Sequence, residues 1–217
     1  MTVEQSAEAY SIVAEAETRS LADLFVDLRS RLQVRGRVVD GAPLPAAMRA
    51  ETHRRGADFS TRIDYGADGN VTAEVLPPPS RSLTPVTAVQ MRGTIDQLTA
   101  YLWLARALAR RGSCALALGV FDGRRRYDLN FADAPAEALS GVSGTAQVCR
   151  MSRHRIAGFP TDQADSRTTD KGKLWFARLV PGDVMIPVRM DFDSEFGTFT
   201  AELAELRGRG VDLRVAE

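Results

Sequence analysis

The sequence is poor in the side chains from which most catalytic and metal sites are built. Its 217 residues include only two histidines and two cysteines. His53 and His154 both lie beside arginines in polar segments, which is typical of a solvated imidazole and not of a general base. Cys114 and Cys149 form no CxxC pair, so the spacing indicates no zinc site. We therefore expect no catalytic residue, no bound metal and no cofactor.

Other classes of protein are excluded by missing patterns. No apolar run reaches the ~18 residues that a membrane-spanning helix needs. Acidic and basic residues number 28 each, so no overall field favours nucleic acid or an anionic membrane. The sequence has neither a G-x-S-x-G nucleophile motif nor a phosphate-binding glycine loop. The start, Met1–Gln5, lacks the basic and apolar regions of a signal peptide. We therefore expect this chain to carry no signal peptide, and a truncation or the choice of start codon would explain its absence.

A single long helix is predicted in the middle of the chain. Thr94-Ile95-Asp96-Gln97 resembles a capping box, in which Thr94 and Gln97 satisfy each other's backbone amides. Apolar residues follow at helical spacing as far as Leu108. Arg110 and Arg111 suit the negative end of the helix dipole, and Gly112 can adopt the left-handed conformation that ends a helix. The predicted helix spans 94–111.

A β-hairpin is predicted directly after this helix. Asp122-Gly123 between two apolar runs favours a type I′ turn, which pairs Phe121 with Arg124. Leu116, Leu118, Tyr127, Leu129 and Phe131 then share the core face. The arginines at 124–126 invite a nucleic-acid interpretation. Because they point alternately to both faces, without an interleaved aromatic platform, we favour a solvated face.

Cys114 and Cys149 flank the hairpin, and two interpretations are open. A disulfide would close a loop of about 36 residues and add up to ~4 kcal/mol of stability. Two buried free thiols are the alternative. Strands separated by one neighbour lie ~10 Å apart, beyond the ~7 Å limit between bonded Cα atoms. Cys114 follows Gly112 by two residues, however, and can lie at a bending strand end, so we favour the disulfide.

Two-residue alternation of apolar and polar side chains extends through most of the chain. It is typical of half-buried antiparallel strands. We place a break at Pro43 and Pro45 before a strand at 48–54, and a loop at 132–144. Pro187 implies a sheet edge or a bulge. The predicted fold is all-β and mainly antiparallel, with one large curved, partly barrel-like sheet of about nine to eleven strands and one main helix.

The domain organisation follows from the same strands. Similar strands on both sides of Pro77-Pro78-Pro79 favour a single domain over 1–217. The alternative is a subdivision into N-terminal strands at 8–76 and a helix with C-terminal strands at 94–206, joined by the proline-rich connection 77–93.

Several motifs occur in an order that resembles a known family. They are Gly93–Asp96 with Tyr101-Leu102, Val120–Leu129, Cys149-Arg150, Ile156–Phe159, and Ile186–Arg189 followed by Phe196-Gly197. This order resembles the bacterial family called domain of unknown function 3108, from about Tyr10 to Leu206. The resemblance implies a proteobacterial cell-envelope protein without an established activity. It implies a periplasmic location, with which a cysteine pair would agree.

Three sets of residues are candidates for a site. Tyr101, Trp103, Trp175 and Phe176 would line a cavity for an apolar ligand, and ordinary core is the alternative. Arg126, Asp128 and Arg189 would gather above Gly119, with a structural ion pair as the alternative. Asp191, Asp193 and Glu195 fall on one strand face, where they would hold a cation or act as paired carboxylates, with a solvated strand face as the alternative.

Three hypotheses about function follow. The first is a non-catalytic periplasmic protein that binds a lipid or another apolar ligand in a curved sheet. The second is a scaffold that recruits another envelope protein through sheet edges, with the strand bearing Pro187 as the edge. The third and weakest is a hydrolase that uses Asp191 or Asp193. None of the three involves nucleic acid or a transmembrane segment.

Overall fold

The computed structural model describes residues 1–17, 28–140, 144–160, 170–180, 185–194, 197–203, 205–208 and 211–214. Strands make up most of these residues, and every pairing register described is antiparallel. The predicted all-β, mainly antiparallel class is confirmed. Over the described ranges, no helix is both long and apolar enough to span a bilayer.

The first sheet has six strands that follow the chain in order. They are β1 (Thr2–Gln5), β2 (Ala9–Glu17), β3 (Leu28–Val39), β4 (Ala42–Arg54), β5 (Ala57–Tyr65) and β6 (Val71–Leu76). The register places Ile12, Val34, Met48 and Ile63 side by side across four of these strands. None of the four is more than 1% exposed, so this row forms the centre of a core on one face of the sheet.

Two helices follow the first sheet. They are α1 (Ala88–Met91) and α2 (Gln97–Arg111). Helix α2 ends as predicted, with Arg110 and Arg111 in its last turn and Gly112 at a φ of 64°. Leu98 and Leu102, from the first turns of α2, pack with the core of the first sheet.

The second sheet also has six strands, and each again lies beside the next strand along the chain. They are β7 (Leu116–Phe121), β8 (Arg126–Ala138), β9 (Thr145–Ala157), β10 (Asp170–Ala177), β11 (Ile186–Ser194) and β12 (Gly197–Glu202). A separate hairpin consists of β13 (Glu205–Gly208) and β14 (Val211–Arg214). Val148, Trp175 and Val188 lie in a second buried cluster that belongs to this sheet.

The chain forms two compact units. The first comprises Met1–Trp103, Leu118–Tyr127 and Arg155–Ser166, and it contains the first sheet. The second comprises Leu104–Ala117, Asp128–His154 and Arg167–Glu217, and it contains β10 to β14. The sites below each lie within one unit.

The prediction of one large, partly barrel-like sheet is wrong. The described residues form two open sheets with twelve strands and a further two-stranded hairpin, against nine to eleven strands predicted. The break falls after β6, at Pro77-Pro78-Pro79. Because proline has no N–H group, three prolines in succession cannot continue a ladder of backbone hydrogen bonds.

Two strands extend through segments predicted as breaks or loops. Strand β4 includes Pro43 and Pro45, which face Val38 and Gly36 on β3, and the register shifts beside Gly36. A bulge of this kind tolerates a missing donor. Strand β8 continues to Ala138, into the predicted loop at 132–144. Pro187 was predicted to lie at a sheet edge or at a bulge, and the bulge is confirmed. It lies between the pairs Trp175–Arg189 and Phe176–Pro187.

The start of α2 differs from the predicted capping box. Helix α2 begins at Gln97, and Asp96 is its N-cap, because its carboxylate accepts from the amide of Thr99 at 2.8 Å. Ile95 is instead extended, in a parallel bridge with Val120. The hydroxyl of Thr94 donates to the carbonyl of Met91 at 2.6 Å. A carboxylate is a stronger acceptor than a hydroxyl, so Asp96 takes the cap.

The predicted hairpin is present, but its turn differs. Strands β7 and β8 are neighbours, and Tyr127, Leu129 and Phe131 are buried as expected. The amide of Asp122 donates to the carbonyl of Arg125 at 3.2 Å, so the pairing of Phe121 with Arg124 is wrong. Gly123 has a φ of 96°, whereas Asp122 does not have the positive φ that a type I′ turn requires.

Candidate functional site

An apolar cleft in the first unit is one candidate site. It has a volume of about 640 Å³, within the usual range for small-molecule sites. Its walls come from β6, the connection 77–93, the hairpin turn and Gly158. The apolar residues that line it are Ala73, Val75, Pro79, Leu83, Pro85, Val86, Met91 and Phe121. Arg81 and Arg124 add two cationic side chains to this lining.

Hydrogen bonds between distant segments hold the walls of the apolar cleft. The amide of Thr84 donates to the carbonyl of Phe159, and the amide of Gly158 donates to the carbonyl of Thr84, each at 2.9 Å. Arg124 donates through one guanidinium nitrogen to the carbonyls of Leu76 and Pro77, at 3.1 and 2.9 Å. The cleft is therefore preformed, and a ligand need not order its walls.

Gly158 allows these walls to approach closely. A Cβ atom on this residue would lie 2.1 Å from the carbonyl oxygen of Arg124, and its φ is 84°. Gly123 in the hairpin turn is equally constrained, since its Cβ would lie 2.2 Å from the Thr61 methyl group. Both glycines have a positive φ, so the turn packs against the backbone at Gly158 and against the Thr61 side chain of β5 without a Cβ in either contact.

A buried polar network lies beneath helix α2 in the same unit. Asp96 is fully buried, and its second carboxylate oxygen accepts from the Thr99 hydroxyl at 2.6 Å. The same hydroxyl is 2.7 Å from that of Tyr10. Burial raises the pKa of Asp96, although the hydrogen bonds from Thr99 oppose this shift. Burial likewise raises the pKa of Tyr10. The three side chains of this network are all buried, so we assign it a structural role.

A second groove, of about 720 Å³, lies in the second unit and is charged. Lys173 lies opposite Arg150 on β9 and opposite Asp191 on β11. Asp191 accepts two hydrogen bonds from Arg189, at 3.1 and 3.0 Å, and these lower its pKa. Trp175 lies in the wall of this groove and donates to Glu137 at 2.8 Å. Its charges are largely paired, which is typical of a solvated sheet face.

The predicted ligand-lining residues lie in both units. Tyr101 and Trp103 are half-buried on α2 in the first unit. Trp175 and Phe176 are buried on β10 in the second unit, where Trp175 joins the core cluster. The lining of the apolar cleft comes from other residues.

The predicted polar residues are also divided. Arg126 extends over Gly119, as predicted, and its Nε donates to the carbonyl of Gln90 at 3.0 Å. Asp128 is half-buried on β8. Arg189 binds Asp191 and, at 3.4 Å, Glu202, and it stacks on Trp175 with its Cζ 5.1 Å from the ring centre.

The remaining candidate side chains are accounted for as follows. Asp193 is exposed, and Glu195 lies outside the described residues. Within the part of the chain that is described, no three His, Cys, Asp or Glu side chains form a group that could hold a metal ion. His53 lies 2.7 Å from Asp58 in an exposed pair. His154 is exposed on β9.

The predicted disulfide is confirmed. Cys114 and Cys149 are bonded, with 5.6 Å between their Cα atoms. Cys114 precedes β7 and does not lie within it, which removes the strand-spacing obstacle. Asp133 fixes this segment, since it accepts from the Cys114 amide and the Ser113 hydroxyl, each at 2.7 Å. The bond indicates an oxidising, extracytoplasmic environment.

Comparison with known proteins agrees with the family resemblance. Neither the curated proteins nor the solved structures contain a match to this chain. A family model described as "Protein of unknown function (DUF3108)" matches residues 1–204, which is nearly the whole chain. The chain therefore belongs to the DUF3108 family of proteins of unknown function.

Proposed function

We propose that this protein is a non-catalytic, periplasmic protein of the cell envelope that holds the apolar chain of a lipid-like ligand. The observation that carries this proposal is the apolar cleft, with eight apolar residues in its lining and walls fixed by hydrogen bonds. The disulfide supports the oxidising location.

The chemistry of the lining favours a chain over a compact polar molecule. Val75, Val86 and Met91 are half-buried and present aliphatic surface. Phe121 is buried at 2% exposure and closes the inner end against the core of the first sheet. Burial of apolar ligand surface contributes about 25 cal/mol per Å², so a chain in this cleft gains affinity without any directional contact.

A neutral fluorescent dye such as 1-N-phenylnaphthylamine tests the proposal. We expect saturable binding to the full chain and loss of binding in Leu83→Trp, because the indole fills the cleft. Val89→Trp is the matched control, since Val89 is 85% exposed on α1 and does not line the cleft. Absence of dye binding to the wild-type protein, or equal binding by both variants, would contradict the proposal.

The alternative is a scaffold that adds a partner strand to a sheet edge. Strand β11 is not such an edge from Arg189 onward, because β12 pairs with it there. Strand β1 is the edge that favours this alternative, since all four of its residues are exposed. Val3→Pro would remove one backbone donor from this strand. Two results together would favour the scaffold over the lipid-binding protein. The wild type would capture a periplasmic partner that the variant does not capture, and the wild type would not bind the dye.

A further inference from the structure

Two phenylalanine rings in the first unit each contact two arginine side chains. The ring centre of Phe59, on β5, is 5.5 Å from the Cζ atom of Arg54 and 5.6 Å from that of Arg124. The ring centre of Phe159 is 5.5 Å from the Cζ atom of Arg125 and 5.1 Å from that of Arg155. We call these six residues the arginine–phenylalanine patch.

The two halves of the patch meet at the hairpin turn. Arg124 and Arg125 are consecutive, and each contacts a different ring. The backbone at Gly158 packs directly on both of them, which positions Phe159 beside the turn. Stacking on an aromatic face holds a guanidinium group in place and leaves the N–H groups at its edge to other acceptors. One nitrogen of Arg124 donates to the carbonyls of Leu76 and Pro77, and the remaining N–H groups can bind a ligand.

The positive charge of three of the four arginines in the patch is poorly compensated. Over the described ranges, Arg54, Arg124 and Arg125 make no ion pair with a carboxylate. The nearby Asp122 accepts from the backbone amides of Arg124 and Arg125, at 2.9 and 2.7 Å. Burial lowers the pKa of Arg124, and repulsion from Arg125 and Arg54 lowers it further, while Asp122 opposes the shift. Such clustering of like charges costs folding free energy, which an anionic ligand would recover.

The patch adjoins the apolar cleft. Arg124 belongs to both, and Gly158, which precedes Phe159, lines the cleft. An amphiphile whose chain occupied the cleft would therefore place its headgroup beside several guanidinium groups. One carboxylate is satisfied by a single guanidinium, whereas a phosphate monoester carries about −1.5 to −2 charges and three acceptor oxygens that several arginines can share.

We propose that the arginine–phenylalanine patch binds the phosphate headgroup of the amphiphile whose chain lies in the apolar cleft. This inference rests on the proposed function and narrows it to phosphate-bearing lipids. Two of the three consecutive arginines, Arg124 and Arg125, are then part of a ligand site and not only of a solvated face. The aromatic platform that their local sequence lacks comes from two distant segments, β5 and 155–160.

Displacement of the neutral dye by two soluble lipids tests the inference. Dihexanoyl phosphatidic acid and dihexanoylglycerol differ only in the phosphate group. We expect the phosphatidic acid to bind the wild-type protein about tenfold more tightly than dihexanoylglycerol. Arg54→Gln/Arg125→Gln should abolish this preference and leave dye binding unchanged. Arg35→Gln/Arg37→Gln is the control, because it removes the same charge from exposed positions on β3 and should keep the preference.

The outcomes separate the two proposals. If the dye binds but both lipids compete equally, or if the patch variant keeps the preference, the phosphate site is overturned and the apolar site stands. If the dye fails to bind the wild-type protein, the proposed function itself fails. If a single-stranded oligonucleotide binds the wild type and Leu83→Trp equally, and binds the patch variant weakly, the patch is a general polyanion surface and the lipid assignment is overturned.

Discussion

Replacement of Asp96 tests how the buried network supports the start of helix α2. In Asp96→Ala, the amide of Thr99 loses the acceptor that now lies 2.8 Å away. Loss of an N-cap costs about 1 kcal/mol, and the buried Thr99 hydroxyl, which loses the second carboxylate oxygen as its acceptor, adds about 1–3 kcal/mol. We expect the free energy of unfolding to fall by about 2–4 kcal/mol, measured by urea titration of the full chain.

Thr94→Ala is the matched control for this substitution. Thr94 is the N-cap in the sequence-based capping box, but in the structure its hydroxyl makes one hydrogen bond, to the carbonyl of Met91. We expect its removal to cost about 1 kcal/mol. An equal or larger loss of stability in Thr94→Ala than in Asp96→Ala would refute the assignment of Asp96 as the cap.

The same carboxyl predicts a pH dependence with a definite sign. Burial raises the pKa of Asp96 above the unfolded value of 3.8, so the folded state retains a proton that the unfolded state releases. This contribution to stability is fully present below pH 3.8 and is lost as the pH rises through the folded-state pKa. Asp96→Asn cannot titrate. We expect the stability of the wild type relative to Asp96→Asn to fall as the pH rises above 3.8, and a rise with pH would refute the reasoning.

Two further predictions concern the disulfide and a packed glycine. Reduction, or Cys114→Ala/Cys149→Ala, opens a loop of about 36 residues and should lower the free energy of unfolding by up to ~4 kcal/mol in urea titrations; equal stability with and without reductant would contradict this. Gly158→Ala should lower the thermal midpoint far more than Gly56→Ala. Both glycines have positive φ, but only Gly158 has backbone atoms within 4 Å of the added methyl group. Equal shifts in the two variants would refute the packing argument.

The strand pattern was predictable because it depends on local alternation. Ile12, Val34 and Ile63 each occupy an apolar position in an alternating run, and all three are fully buried. The separation into two sheets was the alternative interpretation of the proline-rich connection 77–93 and not the favoured one. It depends on what pairs with β6 and β7, and alternation within a strand does not specify its neighbour.

The same turn signal succeeds in one place and fails in another. Asp40 and Gly41 join β3 to β4 with φ values of 50° and 76°, as a type I′ turn requires. Asp122-Gly123 is the same dipeptide, yet the Asp122 carboxylate binds the amides of Arg124 and Arg125 and makes a different turn. Contact of Gly123 with Thr61 on β5 constrains this turn, and local sequence does not contain that contact.

The candidate site was the least predictable feature. Its lining comes from β6, the proline-rich connection, the hairpin turn and Gly158, which are distant in sequence. The prediction centred on the largest aromatic residues, but Trp175 and Phe176 instead fill the interior of the second unit. Small and aliphatic side chains such as Val75 and Leu83 carry no signal that distinguishes a cleft from a core.

Binding in the apolar cleft is the central claim, and methionine methyl NMR tests it most directly. Met91 lines the cleft, whereas Met151 lines the charged groove of the second unit. The protein is labelled at its methionine methyl groups, and the Met91→Leu variant assigns the Met91 resonance. We predict that dihexanoyl phosphatidic acid shifts the Met91 resonance and leaves that of Met151 unchanged. A shift at Met151 with none at Met91 would contradict the claim.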